Sequence, residues 1–292
     1  MLNGTPYAHR GVLDQGYWPD GLLTAPADAA MVHDLETIKR LGFTMVRKHL
    51  KIEPLRWYHH CDRLGILVWQ DFVNGGERHR TAAVKWPGVL PIRLRDRPRA
   101  ALGRAAATYR AEFEDEVRRT VEHLHDAVCV AVWVPFNEGW GQFDANRIAA
   151  VVSGLDPSRP VDHASGWHDQ GGGDVRSVHC YLRRFRVPRR RRGDRRVLGL
   201  TEYGGYDLRV PGHTWGEVEF GYRRFEDADS LGAAFTVLHD TLAPAVRRGL
   251  AVTCYTQLTD VEDELNGLQT YDREVLKLPA QLVRDAIDGL RR

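Results

Sequence analysis

Between residues 7 and 255 the chain alternates short runs rich in β-branched and other apolar residues with longer stretches of helical periodicity, and few folds accept that alternation. The strand candidates are Tyr7 to Val12, Phe43 to His49, Ile66 to Trp69, Val128 to Val134, Val161 to His163, Val175 to Tyr181, Val197 to Thr201 and Leu250 to Tyr255, eight in all. Between them Met31, Leu35, Ile38 and Leu41 recur at helical spacing, as do Phe113, Val117, Val121 and Leu124, and again Leu231, Phe235, Leu238 and Leu242. Such stripes are the faces of helices that pack on a sheet, and their alternation with strands predicts βα units around a parallel sheet. Gly42 and Gly65 each follow a helical stretch and precede a strand, as a glycine at a helix C-terminus does; Leu155 to Pro160 ends another helix.

Eight such units in 292 residues, 43% of them apolar, predict one (β/α)8 barrel spanning residues 1–292 as a single domain. Two places strain that pattern. About a dozen residues separate the fifth and sixth strands, near the minimum for a crossover, and an arginine run fills the slot of the sixth helix, which is therefore expected to be irregular or missing. The segment from Phe72 to about Gly103 is a long insertion rich in Pro, Gly and Arg, and loops of that length are usually functional.

Composition excludes several classes. No apolar run approaches the roughly 20 residues of a membrane span, and the N-terminus lacks the basic-then-apolar pattern of a signal peptide, so a soluble cytoplasmic protein is expected. Cys61, Cys129, Cys180 and Cys254 form no CxxC pair and lie in apolar segments, as small core residues do. The formal charge is +2, yet residues 183–196 hold nine arginines and one aspartate, +8, which leaves +2 − 8 = −6 for the remainder. A run of this kind is commonly solvated. It could attract a polyanion by counterion release, but only Phe185 interrupts it with an aromatic ring, which argues against RNA readout.

What stands at the strand ends is unusual for barrel wall. Strand one runs into Asp14, strand two ends in Arg47 and His49, strand three in Asp71, and strand four in Asn137 and Glu138 with Trp140 beyond. Strand five leads to Trp167, strand six ends in His179 and Tyr181, strand seven in Glu202, and strand eight in Tyr255. In a (β/α)8 barrel these C-terminal ends form the active-site rim. Two glutamates among aromatic residues suit cleavage of a sugar acetal, one protonating the leaving oxygen while the other attacks or stabilises the anomeric carbon. Aromatic faces stack on sugar rings, and Asn, Arg, His and Asp bond their hydroxyls. Neither His59–His60 nor His123–His125 shares a helical face, and no metal or other cofactor is expected.

The segments GVLDQGYWPDG (11–21), GFTMVRKHLKIEPLRWYHHCDRLGILVWQDF (42–72), VWVPFNEGWGQFD (132–144), VLGLTEYGGY (197–206) and TDVEDELNGLQTYDRE (259–274) resemble the catalytic barrel of glycoside hydrolase family 2, the family of β-galactosidases, β-glucuronidases and β-mannosidases. The resemblance implies a retaining exo-β-glycosidase with Glu138 as acid/base, Glu202 as nucleophile, Asn137 on the sugar 2-hydroxyl and Tyr181 beside the nucleophile. Family barrels follow β-sandwich domains, whereas this chain opens at Leu2-Asn3-Gly4, like the second half of a hairpin; the expectation is a catalytic fragment with exposed apolar surface that favours self-association. His125 to Val128 and Tyr255-Thr256-Gln257 depart from the family pattern, so the sugar is left open. Two further readings stand beside the enzyme: a truncated barrel that binds carbohydrate without turnover, and a polyanion binder acting through Arg183 to Arg196. For the enzyme, a carboxyl gap of about 5 to 5.5 Å is expected, with Glu138 raised in pKa by the charge of Glu202 and by burial beneath Trp140. Arg183 and Arg184 would bias the pocket toward acidic sugars.

Overall fold

A computed structural model describes residues 4–88, 92–97, 101–189 and 192–291. The elements in chain order are β1 (His9–Asp14), α1 (Asp28–Arg40), β2 (Met45–Lys48), α2 (Leu55–Leu64), β3 (Leu67–Asp71), α3 (Thr81–Lys85), α4 (Ala107–Leu124), β4 (Val130–Val134), α5 (Ala145–Leu155), β5 (Val175–Cys180), β6 (Val197–Gly204), β7 (Tyr206–Leu208), β8 (Arg223–Phe225), α6 (Ala228–Arg247), β9 (Leu250–Thr256) and α7 (Ala280–Asp288). Seven strands form one sheet in the order β4-β3-β2-β1-β9-β6-β5, every pairing parallel. The fold is a (β/α)8 barrel with one irregular stave.

That stave is the expected fifth strand. Val161 to Ser165 lies beside β4 through parallel bridges Trp133 to Val161 and Asn137 to Ser165, with Asp162 N donating to Trp133 O at 2.9 Å and Ser165 N to Phe136 O at 2.8 Å. On the β5 side the backbone link is Asp174 N to Val161 O, 2.8 Å. No regular strand forms here because Pro160 has no N–H to give and the N–H of Val161 is taken by the Asp174 carboxylate at 2.8 Å. The first strand begins two residues later than its pattern predicts and runs through Asp14. A small parallel pair, β7 with β8, was not foreseen; each strand is three residues long, too short for a period to show.

Strand alternation sorts the side chains into two cores. Leu13, Met45, Trp69, Val132, Val134, Val175, Val252 and Cys254 fill the barrel interior. Their neighbours Val12, Val46, Val68 and Trp133 face the helices, where they meet the buried stripes of α1, α4 and α6. All four cysteines are free and buried. Following β2 or β3 toward its C-terminal end, the inward positions change from Met45 to Arg47 and from Trp69 to Asp71, so an apolar floor gives way to a charged layer.

In the sixth slot no helix occurs among the described residues 181–189 and 192–196. Phe185 and Val187 instead pack against the core, beside a groove of about 1030 Å³ lined by Leu200, Tyr203, Leu238 and Leu242. Arg190 and Arg191, like Leu2 and Asn3 of the expected hairpin, lie outside the described residues. Among those residues no helix is long and apolar enough to cross a membrane.

The end of β4 is held by three aromatic rings. Phe113 of α4 stacks on Phe136 with centroids 5.0 Å apart, and Phe143 meets both edge-on at 5.7 and 5.6 Å. Phe136 is fully buried and sits just before Asn137 and Glu138. Phe136→Ala should cost about 3–5 kcal/mol in urea unfolding, and Phe136→Leu markedly less; equal, small losses for both would show that this ring is not what fixes the strand end.

Candidate active site

The charged layer is organised around Arg47. From β2 its guanidinium reaches Asp71 through Nε and Nη2 at 2.9 Å each, Glu202 Oε1 through Nη1 at 2.9 Å, Asn137 Oδ1 through Nη2 at 2.9 Å, and Thr201 O at 3.2 Å. Its side chain is fully buried. Burial alone would depress the guanidinium, but Asp71 and Glu202 outweigh it and keep the cation firmly protonated. Burial would likewise raise Asp71; Arg47 and His49, whose Nδ1 lies 2.9 Å away, overcome this and hold the carboxyl below its ordinary range.

Glu202 is aimed by a bulge. Along β6, Leu200 pairs with Thr253 and Tyr203 with Tyr255, so three residues of β6 advance against two of β9. The extra residue turns the strand and lets both Thr201 and Glu202 bond into the barrel. Glu202 Oε2 accepts from the Tyr181 hydroxyl, which also lies 3.1 Å from Thr256 Oγ1; the ring of Tyr181 stacks on Tyr222 at 4.0 Å.

Glu138 stands across from it in a left-handed backbone conformation, φ 52°, with its N–H on Ser165 O at 2.9 Å. Its side chain is 19% exposed. Burial pushes its pKa up to about 7 against the opposing charges of His49 and Arg47. Burial, then, is the cause of the shift, and the cover is not Trp140: that ring is 41% exposed and lies against His79, centroids 4.9 Å apart. His179 sits between the carboxyls, Nδ1 2.7 Å from Glu138 Oε1 and 3.3 Å from Glu202 Oε2. Burial lowers its pKa to about 3 despite the pull of Glu202, so it is neutral. One donor atom from each of Glu138, His179 and Glu202 falls within 4.8 Å of the others. Donors so spaced could hold a cation, but Glu202 is already neutralised by Arg47 and both its oxygens are bonded, so the trio is complete as a hydrogen-bonded set.

Of the other expected rim residues, Trp167 packs edge-on against His179, centroids 5.3 Å apart, and its buried Nε1 has no partner among the described residues. Asn137 gives its oxygen to Arg47, which leaves its NH2 unassigned. Two residues lie elsewhere. Asp14 shares the outward face of β1 with Val12 and meets Lys48 and Gly16 N; burial is outweighed there by Lys48, so Asp14 stays ionised in an ion cluster that includes Glu53. Tyr255 faces outward too, against Phe235 of α6 and Tyr203. Both misplacements have one origin: alternate residues of a strand face opposite sides, and nearness to a strand end does not say which. Ser165, Thr201, Thr256 and Tyr222 join the network unforeseen. Ser165, Thr201 and Thr256 stand at or within two residues of strand-candidate ends, the signal that could have found them; Tyr222 comes from an irregular loop.

A parallel eight-fold barrel with a buried carboxyl pair at its C-terminal rim has the build of a sugar-cleaving barrel. The chain belongs to the glycosyl hydrolases family 2, TIM barrel domain, whose profile matches residues 25–186. It is 28% identical over 178 residues to a β-galactosidase of Erwinia tasmaniensis, and 29% identical over 177 residues to one of Klebsiella pneumoniae; each alignment covers 60% of this chain and 15% of the relative. The chain thus spans a small part of the curated relatives it matches. In fold it is similar to a GH2 β-galacturonidase from Eisenbergiella tayi bound to galacturonate, with TM-score 0.70, 17% identity, and coverage of 97% of this chain and 51% of that one. The Parabacteroides merdae β-glucuronidase gives TM-score 0.68 at 14% identity, covering 100% of this chain and 38% of that one.

Arg47→Gln should destabilise the protein by about 3–5 kcal/mol, because Asp71 and Glu202 would remain buried without a counter-charge. Arg47→Lys should recover only part, since an ammonium cannot reproduce the forked contacts. Asp71 has a depressed folded-state pKa, so its contribution is present above the unfolded value near 3.8 and lost as pH falls through the folded one. Urea titrations from neutral to acid pH should therefore show a smaller acid-side loss in Arg47→Gln than in the parent.

Proposed function

We propose that this barrel hydrolyses β-glycosides with retention of configuration, Glu202 acting as nucleophile and Glu138 as acid/base. The observation that carries this reading is a carboxyl pair with oxygens within 4.8 Å in unlike surroundings. A retaining pair stands about 5–5.5 Å apart, whereas an inverting pair needs roughly 6.5–9.5 Å to seat a water. Glu202 accepts from Arg47 through Oε1 and from the Tyr181 hydroxyl through Oε2. Glu138, pushed up to about 7 by burial, retains a substantial protonated fraction at neutral pH.

In the first step Glu202 attacks the anomeric carbon while Glu138 gives its proton to the leaving oxygen. In the second, Glu138 takes a proton from water, which displaces Glu202. Trp167 Nε1 and the NH2 of Asn137 are donors left to bond sugar hydroxyls. Without an acceptor, a buried indole N–H costs free energy that a bound hydroxyl would recover.

The residues flanking the pocket favour a neutral sugar. At the ends of β1 and β9, Gln15 Nε2 donates to Gln257 Oε1 at 3.0 Å and to Glu264 Oε2 at 2.9 Å, and Asn266 Nδ2 donates to Glu264 Oε1 at 3.0 Å. Nearby Asp207 is buried with neither oxygen partnered among the described residues, and burial raises its pKa to about 7. Tyr222 feels Glu138, Glu202, Glu264 and Asp207 together. Arg183 and Arg184 are exposed and line the groove beside α6, and neither bonds Glu138 or Glu202 among the described residues. A uronate would therefore bring a like charge toward Glu264 and the partly ionised Asp207.

A 2-deoxy-2-fluoro glycoside with a good leaving group should label Glu202, and Glu202→Gln should abolish turnover. Glu138→Ala should keep partial activity on activated aryl substrates and recover with azide; labelling of another carboxylate would refute the assignment. Since the acid must be protonated, kcat/KM should fall as pH rises through about 7. Across a panel of aryl β-glycosides, neutral pyranosides should be turned over at least tenfold faster than uronides, the order expected of about 1.4 kcal/mol of charge discrimination; a uronide preference would reverse the reading of this wall.

A further inference from the structure

The hydroxyl that backs His179 decides which imidazole nitrogen carries the proton. Ser165 Oγ lies 3.1 Å from His179 Nε2 and donates to Thr201 Oγ1 at 3.0 Å. A serine hydroxyl has one proton. With that proton on Thr201, Ser165 can only accept from His179, so the ring is protonated at Nε2. A neutral ring then presents a bare lone pair at Nδ1, and this atom faces Glu138 Oε1 at 2.7 Å. Two lone pairs do not approach so closely without a proton between them.

We propose that Glu138 supplies that proton, so that His179 is the positioning residue that accepts the hydrogen bond of the acid's O–H in the free enzyme; the inference rests on Glu138 being the acid/base. Glu202 cannot serve instead. Its Oε1 is bonded by Arg47 and its Oε2 by Tyr181, and it stands at the longer distance of 3.3 Å. The groups facing the pair are Arg47 and His49 from β2 and its end, Asp71 from β3, Ser165 beside β4, Thr201 and Glu202 from β6, Tyr181 beyond β5, and Tyr222. Gly166 makes the approach feasible, since a Cβ there would fall 2.6 Å from His179 Nδ1, and Trp167 closes the ring's flank. The low basicity of His179 and the raised pKa of Glu138 agree with a proton that stays on the carboxyl.

The reaction then needs no additional proton carrier. As substrate enters, the Glu138 O–H turns from Nδ1 to the glycosidic oxygen; its proton leaves with the aglycone as the bond from the anomeric carbon to the leaving oxygen breaks and the bond to Glu202 forms. Water's proton restores the O–H as water oxygen replaces Glu202, and the hydroxyl closes on Nδ1 again. His179 orients the acid without itself changing protonation.

The test uses the full chain labelled with 15N in its histidine rings and free of ligand, with His179 assigned by its loss in His179→Gln. Below pH 7 the spectrum should show a protonated Nε2 and a pyridine-like Nδ1, and the Nδ1 shift should respond to the ionisation of Glu138 near pH 7 without the ring taking up or losing a proton. A proton on Nδ1, or on both nitrogens, overturns the proposal. In His179→Ala the alkaline limb of kcat/KM should move down by about one pH unit, because the protonated acid loses one buried hydrogen bond. An unmoved limb, or one that moves up, also overturns it. If the variant does not fold, the parent spectrum still decides. A parent that shows this spectrum but hydrolyses no glycoside would refute the proposed activity and leave the proton arrangement standing.

Discussion

A guanidinium without access to water must be surrounded by acceptors, and the upper barrel is arranged to satisfy that demand at Arg47. Three elements answer it with four residues: β3 with Asp71, the end of β4 with Asn137, and β6 with both Glu202 and the Thr201 carbonyl. A lysine could not meet these acceptors at once, because its donors radiate from a single nitrogen. The same contacts settle charge. Arg47 balances one of its two carboxylates and leaves the layer with a surplus negative charge, a setting in which a further buried carboxylate is unwelcome. Withdrawal from water is the larger reason that Glu138 keeps its proton, and the cation that would oppose it is already spent on Asp71 and Glu202.

The legible part of this protein was the part set by periodicity. Strands carrying both β-branched residues and a polar terminus were read correctly, and so were the helix faces at Met31, Phe113 and Leu231, because burial on one side imposes a period that survives in the sequence. Asn137-Glu138 and Glu202 stood out since charged groups seldom end an apolar run without purpose. Facing was harder. The bulge at Thr201–Glu202 changes the parity of β6, and nothing in Leu-Thr-Glu-Tyr announces it. Asp14 and Tyr255 were assigned to the pocket by proximity to strand ends when their parity turns them outward. The role of His179 depends on two hydroxyl groups distant in sequence, Ser165 and Thr201, and no local pattern could have assembled them.

Charge counting read the arginine run as solvated, and Arg183, Arg184, Arg186, Arg189, Arg192 and Arg195 are exposed. Its formal +8 suggested a solvated strap, yet Arg196 forks onto Asp169 at 2.6 and 3.1 Å and also meets Asp194 at 2.9 Å. The Arg189 carbonyl accepts from Arg176 of β5 at 2.9 Å. With Phe185 and Val187 set against the core, the segment is fastened at several points and takes part of the cover that a sixth helix would provide. Of these partners Asp169 comes from the acidic remainder of the chain and Asp194 from the run itself, so the charge they absorb is that of Arg196 at the end of the run.

The long insertion after β3 acquires a physical role in the same way. Glu138 occupies left-handed backbone space that costs a non-glycine residue about 1–3 kcal/mol, and such a conformation persists only when its surroundings over-determine it. Leu102 O accepts from Gly141 N at 2.7 Å, and Asp96 accepts from Ala145 N at 2.7 Å at the start of α5. His168, bonded to Leu94 N at 3.0 Å and to Ala83 O at 2.7 Å, lies so close beneath the turn that a Cβ on Gly139 would fall 2.5 Å from its ring. Residues of the insertion thus grip the turn on both sides of Glu138. A shorter connection between β3 and α4 could join the same barrel, but it would leave the acid on a strained turn held only from the side of Ser165 and the rings around Phe136.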